Sequence, residues 1–140
     1  MSFDNACRIV ARWMIENDPA QTLDLSCNQL TRLPCLPVNV VRLNISYNSL
    51  TEFPDLPPSV RHIQCRYNRI AELECVPAHI DYLDISENHL AYKPYLLSEN
   101  TTLVASVNPL LIRELRPAHS HYIMDMMYSE SLVRTLLHGL

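Results

Sequence analysis

Most of the chemically capable residues of this 140-residue chain fall between residues 42 and 84. Cys65 with His62 has the composition of a nucleophile and its base, but residues three apart on a strand project to opposite faces, so one cannot activate the other. His119-x-His121 is too sparse for a metal site without further ligands, and no glycine-rich phosphate loop is present, the chain holding a single glycine. Tyr47, Arg66 and Tyr67 could stack single-stranded nucleic acid. The formal charge of −4, from Lys+Arg 11 against Asp+Glu 15, supplies no general attraction for it. What remains is recognition chemistry. Arg42, Asn44, Tyr47, His62, Gln64, Arg66, Tyr67, Tyr82 and Asp84 gather cations, aromatics and hydrogen-bonding groups, and Arg and Tyr are the types enriched where protein partners bind tightly. Such a set suits a peptide or protein segment with acidic and aromatic side chains.

These residues are ordered by a period. Asn28, Asn48, Asn68, Asn88 and Asn108 recur every twenty residues in the segments TLDLSCNQL, RLNISYNSL, HIQCRYNRI, YLDISENHL and TLVASVNPL. Apolar side chains stand five and three positions before each asparagine (Leu23/Leu25, Leu43/Ile45, Ile63/Cys65, Leu83/Ile85, Leu103/Ala105) and two after it (Leu30, Leu50, Ile70, Leu90, Leu110). Period-two alternation puts the apolar pair on one face of a strand and the intervening residues on the other. One such strand cannot bury itself, whereas five stacked in parallel at roughly 4.8 Å share a continuous core. The exposed face is then read in columns: Thr22, Arg42, His62, Tyr82, Thr102; Asp24, Asn44, Gln64, Asp84, Val104; and Ser26, Ser46, Arg66, Ser86, Ser106. Beside them lie Cys27, Tyr47, Tyr67, Glu87 and Val107. Because the backbone must leave the ladder at each corner, an amide carrying both donors and an acceptor is the side chain to bridge it. The asparagines are architecture.

After each asparagine the chain returns through LTRLPCLP, LTEFPDLP and IAELECVP, where proline favours extended or polyproline II backbone. The alternation LPxLPxxVxxLxIxxNxLTxLP resembles the shortest class of leucine-rich repeats, typical of the secreted effectors of pathogenic bacteria, including the invasion-plasmid-antigen type and the Yersinia outer protein M type. The resemblance covers residues 23–97 well and 98–112 more loosely. It implies an α/β solenoid, right-handed, with five parallel short strands, an extended convex side and a concave face that captures a protein partner. It also implies action inside a host cell, for a bacterial pathogen or an intracellular virus. Effectors with ubiquitin-ligase activity carry it in a separate, larger domain with a nucleophilic cysteine, so no such activity carries over and no enzyme is expected.

The ends need lids. Residues 1–21 are expected to form an N-terminal helical cap, Ser2 or Asp4 starting a helix with Ala6, Ile9, Val10, Trp13 and Met14 on its apolar side and Asp18-Pro19 ending it. Residues 22–112 hold the five repeats. Residues 113–140 are expected to form helices, with Tyr122, Ile123, Met126, Met127, Val133, Leu136 and Leu137 at helical spacing. That methionine-rich face is the alternative docking or homodimer surface. In the fourth return Lys93 stands at a core position, Tyr92 is its candidate substitute, and Tyr95-Leu96-Leu97 lacks the second proline. No apolar run reaches a membrane span, and the N-terminus does not read as a signal peptide. Cys35 and Cys75 share a column two repeats apart, roughly 10 Å by strand spacing, too far for a disulfide. Free thiols favour a cytoplasmic protein. No cofactor or metal is expected.

Overall fold

The alternation folds as the spacing predicts. The computed structural model describes residues 2–90 and 94–108. Its elements are helix α1 (Ser2–Glu16) and strands β1 (Thr22–Asp24), β2 (Arg42–Asn44), β3 (His62–Gln64), β4 (Cys75–Val76), β5 (Tyr82–Asp84), β6 (Tyr95–Leu96) and β7 (Thr102–Val104). The main sheet is five-stranded and parallel, in the order β1-β2-β3-β5-β7. Its register follows the sequence period: Leu23 faces Leu43, then Ile63, Leu83 and Leu103. Each strand's central side chain is buried, and so are Leu25, Ile45, Cys65, Ile85 and Ala105 behind it. Leu30, Leu50, Ile70 and Leu90 close the core from below, with Val40, Val60 and Ile80 at the entry to the next strand. Burial of this kind, worth about 1.5–3 kcal/mol for each large aliphatic side chain, is shared between turns, so no repeat is stable alone.

Each corner is built the same way. The backbone ladder runs past the strand, Cys27, Tyr47, Tyr67 and Glu87 donating to the carbonyls of Ser46, Arg66, Ser86 and Ser106. These same residues, with Val107, have positive φ between 53° and 58°. The left-handed region costs a non-glycine residue roughly 1–2 kcal/mol, most for a β-branched side chain. Val107→Gly is therefore expected to raise stability by about 0.5–1 kcal/mol in thermal unfolding, after allowing for the freer unfolded chain. Tyr67→Gly gains less, since its ring packs on Tyr47.

The asparagines span the seams. Asn48 Oδ1 accepts from the N–H groups of Asn28 and Leu30, while its Nδ2 donates to the carbonyls of Leu25, Ile45 and Ser46. Asn68, Asn88 and Asn108 accept from Leu50, Ile70 and Leu90, and each donates both backwards and within its own repeat. Asn28 has no earlier repeat to serve. Its Oδ1 accepts instead from Asn5 Nδ2 of the helix at 2.6 Å, so α1 stands where another turn of the stack would be.

Helix α1 covers β1 with Ala6, Val10 and Trp13, and Phe3 and Ile9 pack at its rim. Two expectations change. Asp4 lies within the first turn, where its charge favours the helix N-terminus, and Met14, expected on the apolar side, is 57% exposed. The stop is Asn17, in the left-handed conformation with its N–H donating to the Trp13 carbonyl, before the Asp18-Pro19 pair acts.

The return side carries a short parallel ladder of its own. Strands β4 and β6 pair in parallel, Tyr95 N–H donating to the Glu74 carbonyl and Leu97 N–H to that of Val76. Leu97 stands where Pro37, Pro57 and Pro77 stand in earlier repeats; proline has no N–H to give, so only the proline-free return can complete this small ladder. The expected C-terminal helices of residues 113–140, the histidine pair His119 and His121, and the Tyr92/Lys93 exchange lie outside the described residues. Among the described residues no helix is long and apolar enough to cross a membrane.

Candidate functional site

The outward residues of β2, β3 and β5 bring Arg42, His62 and Tyr82 into one column and Asn44, Gln64 and Asp84 into the next. An in-register parallel stack sets equivalent side chains near the strand spacing, which is also the spacing of stacked rings. Tyr47 and Tyr67 stack with centroids 4.6 Å apart at 13°. His62 and Tyr82 stack at 4.5 Å and 12°. Two aromatic plates thus flank the centre, each held by two repeats, and Tyr47 and Tyr67 remain 54% and 41% exposed.

Between the plates lies Arg66. Its Nε sits 3.6 Å from Asp84 Oδ2, and its Cζ is 5.7 Å from the Tyr67 ring centroid. None of its guanidinium nitrogens makes a hydrogen bond among the described residues, so the fork is oriented while its donors stay available. Asp84 is buried, its Oδ1 accepting from the Ser86 N–H at 3.1 Å; it positions Arg66 rather than meeting solvent. Asn44 is half-buried and likewise caps Ser46. Arg42, His62 and Gln64 are exposed, and Arg42 forms no ion pair among the described residues.

A shorter local pattern accompanies the repeat. Asp24, Asn44 and Asp84 each accept from the N–H two residues on, that of Ser26, Ser46 and Ser86, a short polar side chain closing its own turn. The signal is D/N-x-S. The third repeat breaks it with Gln64-Cys65-Arg66, and Arg66 N–H turns to Ser46 Oγ of the preceding repeat instead. Two side chains are thereby released from structural duty at the point where cation and aromatic surface is densest. The serine column itself is largely covered, Ser46 and Ser86 being buried and Ser106 Oγ donating to Ser86 Oγ.

Cys65 is fully buried under the sheet while His62 is exposed on its other side. Burial first, and the nearby Asp84 charge second, push the thiol up to about 12, against a smaller lowering by the Asn68 amide. Such a thiol is a core side chain. The described residues contain no cluster of His, Cys, Asp and Glu able to hold a metal ion, and Cys7, Cys27, Cys35, Cys65 and Cys75 are all free thiols.

No family model matches the sequence, and no curated protein gives a significant match. Among solved structures, the leucine-rich repeat domain of a Shigella effector superposes with a TM-score of 0.63 at 30% sequence identity, covering 71% of this chain. The chain is a leucine-rich repeat protein. Its repeats resemble those of bacterial effectors, and the leucine-rich repeat match spans 44% of the Shigella chain's length.

Proposed function

We propose that this leucine-rich repeat protein is a non-catalytic recognition module that holds a peptide or protein segment with acidic and aromatic side chains against the exposed face of its sheet. Arg42, Tyr47, His62, Gln64, Arg66, Tyr67 and Tyr82 make the contacts, with Asn44 and Asp84 setting their positions. The observation that carries this reading is the pair of aromatic stacks around an oriented Arg66 whose guanidinium makes no hydrogen bond among the described residues. Aromatics already fixed by neighbouring rungs and a pre-aimed fork lose little freedom on binding, which is where affinity is gained. The likeness to an effector domain supports a protein partner, and with it action on a host protein in the host cytoplasm or nucleus. No cofactor or metal takes part.

The test is affinity capture from host lysate with the full chain and with Arg42→Ala/Arg66→Ala/Tyr67→Ala. A partner held by the parent and lost by a folded triple variant is the expected result. Capture that survives those changes and disappears on altering Met126, Met127 and Leu137 assigns docking to the C-terminal segment and overturns the reading.

A further inference from the structure

The corner residues Cys27, Tyr47, Tyr67, Glu87 and Val107, one per rung, share the same left-handed backbone. Their ladders also match, Cys27 N–H donating to the Ser46 carbonyl and Tyr47 N–H to that of Arg66. Side chains of this column therefore leave equivalent points roughly 4.8 Å apart, and the 4.6 Å between the Tyr47 and Tyr67 centroids is that rung height. Each ring covers only one face of the other. The second face of Tyr67 looks to the fourth repeat and Glu87, and Arg66 Cζ lies 5.7 Å from its centroid. The second face of Tyr47 looks to the first repeat, where the column offers only the small, exposed side chain of Cys27. Tyr47 stacks on no other ring among the described residues, and it stays 54% exposed against 41% for Tyr67, so the face towards Cys27 is open. The outward residues beside Cys27 are occupied with each other, Ser26 Oγ donating to Asp24 Oδ1 at 2.6 Å. The His62–Tyr82 stack lacks an equal opening: Arg42 stands next to His62 in its column, and Tyr82 is half-buried.

We propose that the ring-high gap over Cys27 is a subsite for an aromatic side chain of the bound peptide, which enters as the third ring of the Tyr47–Tyr67 stack. The proposal rests on the functional reading above and adds Cys27 to the contact set as the floor of the aromatic subsite. A flat ring matches the rung height already set by the two tyrosines and meets a π face, whereas a saturated side chain is thicker and gains no ring–ring term. The tyrosines are held by their own rungs, so the incoming ring finds its platform already ordered. Cys27 is also the residue whose size sets access. Tyr47 and Tyr67 tolerate the backbone conformation that Cys27 adopts, so a tyrosine at position 27 would itself complete the stack and close the gap.

The test uses the exposed Cys27 thiol of the full chain as a tether. The chain is equilibrated with bis(2-phenylethyl) disulfide or bis(2-cyclohexylethyl) disulfide, each at the same ratio to its own thiol. The Cys27 thiolate attacks the probe disulfide, one Cys27–probe S–S bond forms, and one probe thiolate leaves and takes up the proton, with no net oxidation. Peptide mass spectrometry reads the occupancy, with the exposed Cys7 and Cys35 as internal controls. The phenyl probe is expected to exceed the cyclohexyl probe at Cys27 by roughly threefold to tenfold in exchange constant, with no such ratio at Cys7 or Cys35 and none at Cys27 in Tyr47→Ala. Equal ratios at the three cysteines, or a preference that survives Tyr47→Ala, overturn the subsite, while the functional reading still stands or falls on the capture experiment. For a partner that the parent captures, Cys27→Tyr is expected to weaken binding roughly tenfold and Cys27→Ala to keep it; undiminished binding by a folded Cys27→Tyr overturns the subsite as well. A parent dimer in sedimentation that becomes a monomer on Cys27→Tyr makes a second copy the source of the ring and ends the proposal.

Discussion

Asn48→Ala is expected to lower the unfolding free energy by about 3–5 kcal/mol, the largest loss among the asparagines of the stack. The reason lies in which backbone groups have a second partner. The carbonyl of Leu25 accepts from both Asn28 and Asn48, and that of Ile45 from both Asn48 and Asn68; either survives the loss of one donor. The N–H groups of Asn28 and Leu30 have Asn48 Oδ1 alone. Stranding a buried donor costs about 1–3 kcal/mol, and Asn48→Ala strands both. Asn68→Ala and Asn88→Ala strand one each, Leu50 and Ile70, and should cost about half as much. Asn28→Ala strands no backbone N–H and should cost on the order of 1 kcal/mol. Urea unfolding followed by far-ultraviolet circular dichroism, with Trp13 fluorescence reporting on the cap, checks the order 48, then 68 and 88, then 28. Equal losses at all of these positions would refute the argument.

Alkaline pH should weaken the fold through Cys65. Its thiol, ordinarily near 9.0, is held up to about 12 by burial and by the Asp84 charge. Above pH 9 the unfolded chain gives up this proton while the folded chain keeps it, so the unfolded state binds fewer protons and stability falls as pH rises. The contribution is intact below pH 9, declines at about 1.4 kcal/mol per pH unit above it, and is spent by about pH 12. Cys65→Val removes the ionisation and nearly keeps the volume, so its stability should fall less steeply across that window while other groups titrate alike in both proteins. Parallel curves for parent and variant would show that the thiol ionises as readily folded as unfolded. At neutral pH a thiol reagent should label Cys7, Cys27 and Cys35 but reach Cys65 only after unfolding.

Strand positions, register and the inward set were readable from the chain because one physical demand repeats. Leu23, Leu43, Ile63, Leu83 and Leu103 answer it at the same offset, and each confirms the others. What escaped depends on single contacts that do not recur. Asp24 and Asp84 occupy the same column, yet Asp24 is exposed and Asp84 buried, a difference that follows Arg66 one strand away. Asn5 has no periodic signature; only the three-dimensional meeting of α1 with the first turn makes it a partner of Asn28. The ladder between β4 and β6 was half visible in the missing proline at Leu97, but its meaning needed the carbonyl of Val76 beside it. The recognition residues were legible as types and columns. That Tyr47 stacks on Tyr67 and His62 on Tyr82 follows from the register, whereas the division between contact and support came from Asp84 and Asn44 being tied to serine backbone.

The contact from Asn5 to Asn28 marks the first asparagine as the origin from which the stack is counted. A copy of residues 41–60 inserted after its original would find the same partners above and below, Oδ1 for the turn before and Nδ2 for the carbonyls on both sides. A copy placed ahead of Leu23 would instead evict the helix. Added turns are thereby excluded at the helix end of the stack, and a longer relative built by duplication should keep α1 and its asparagine beside the first turn while the recognition columns gain rungs.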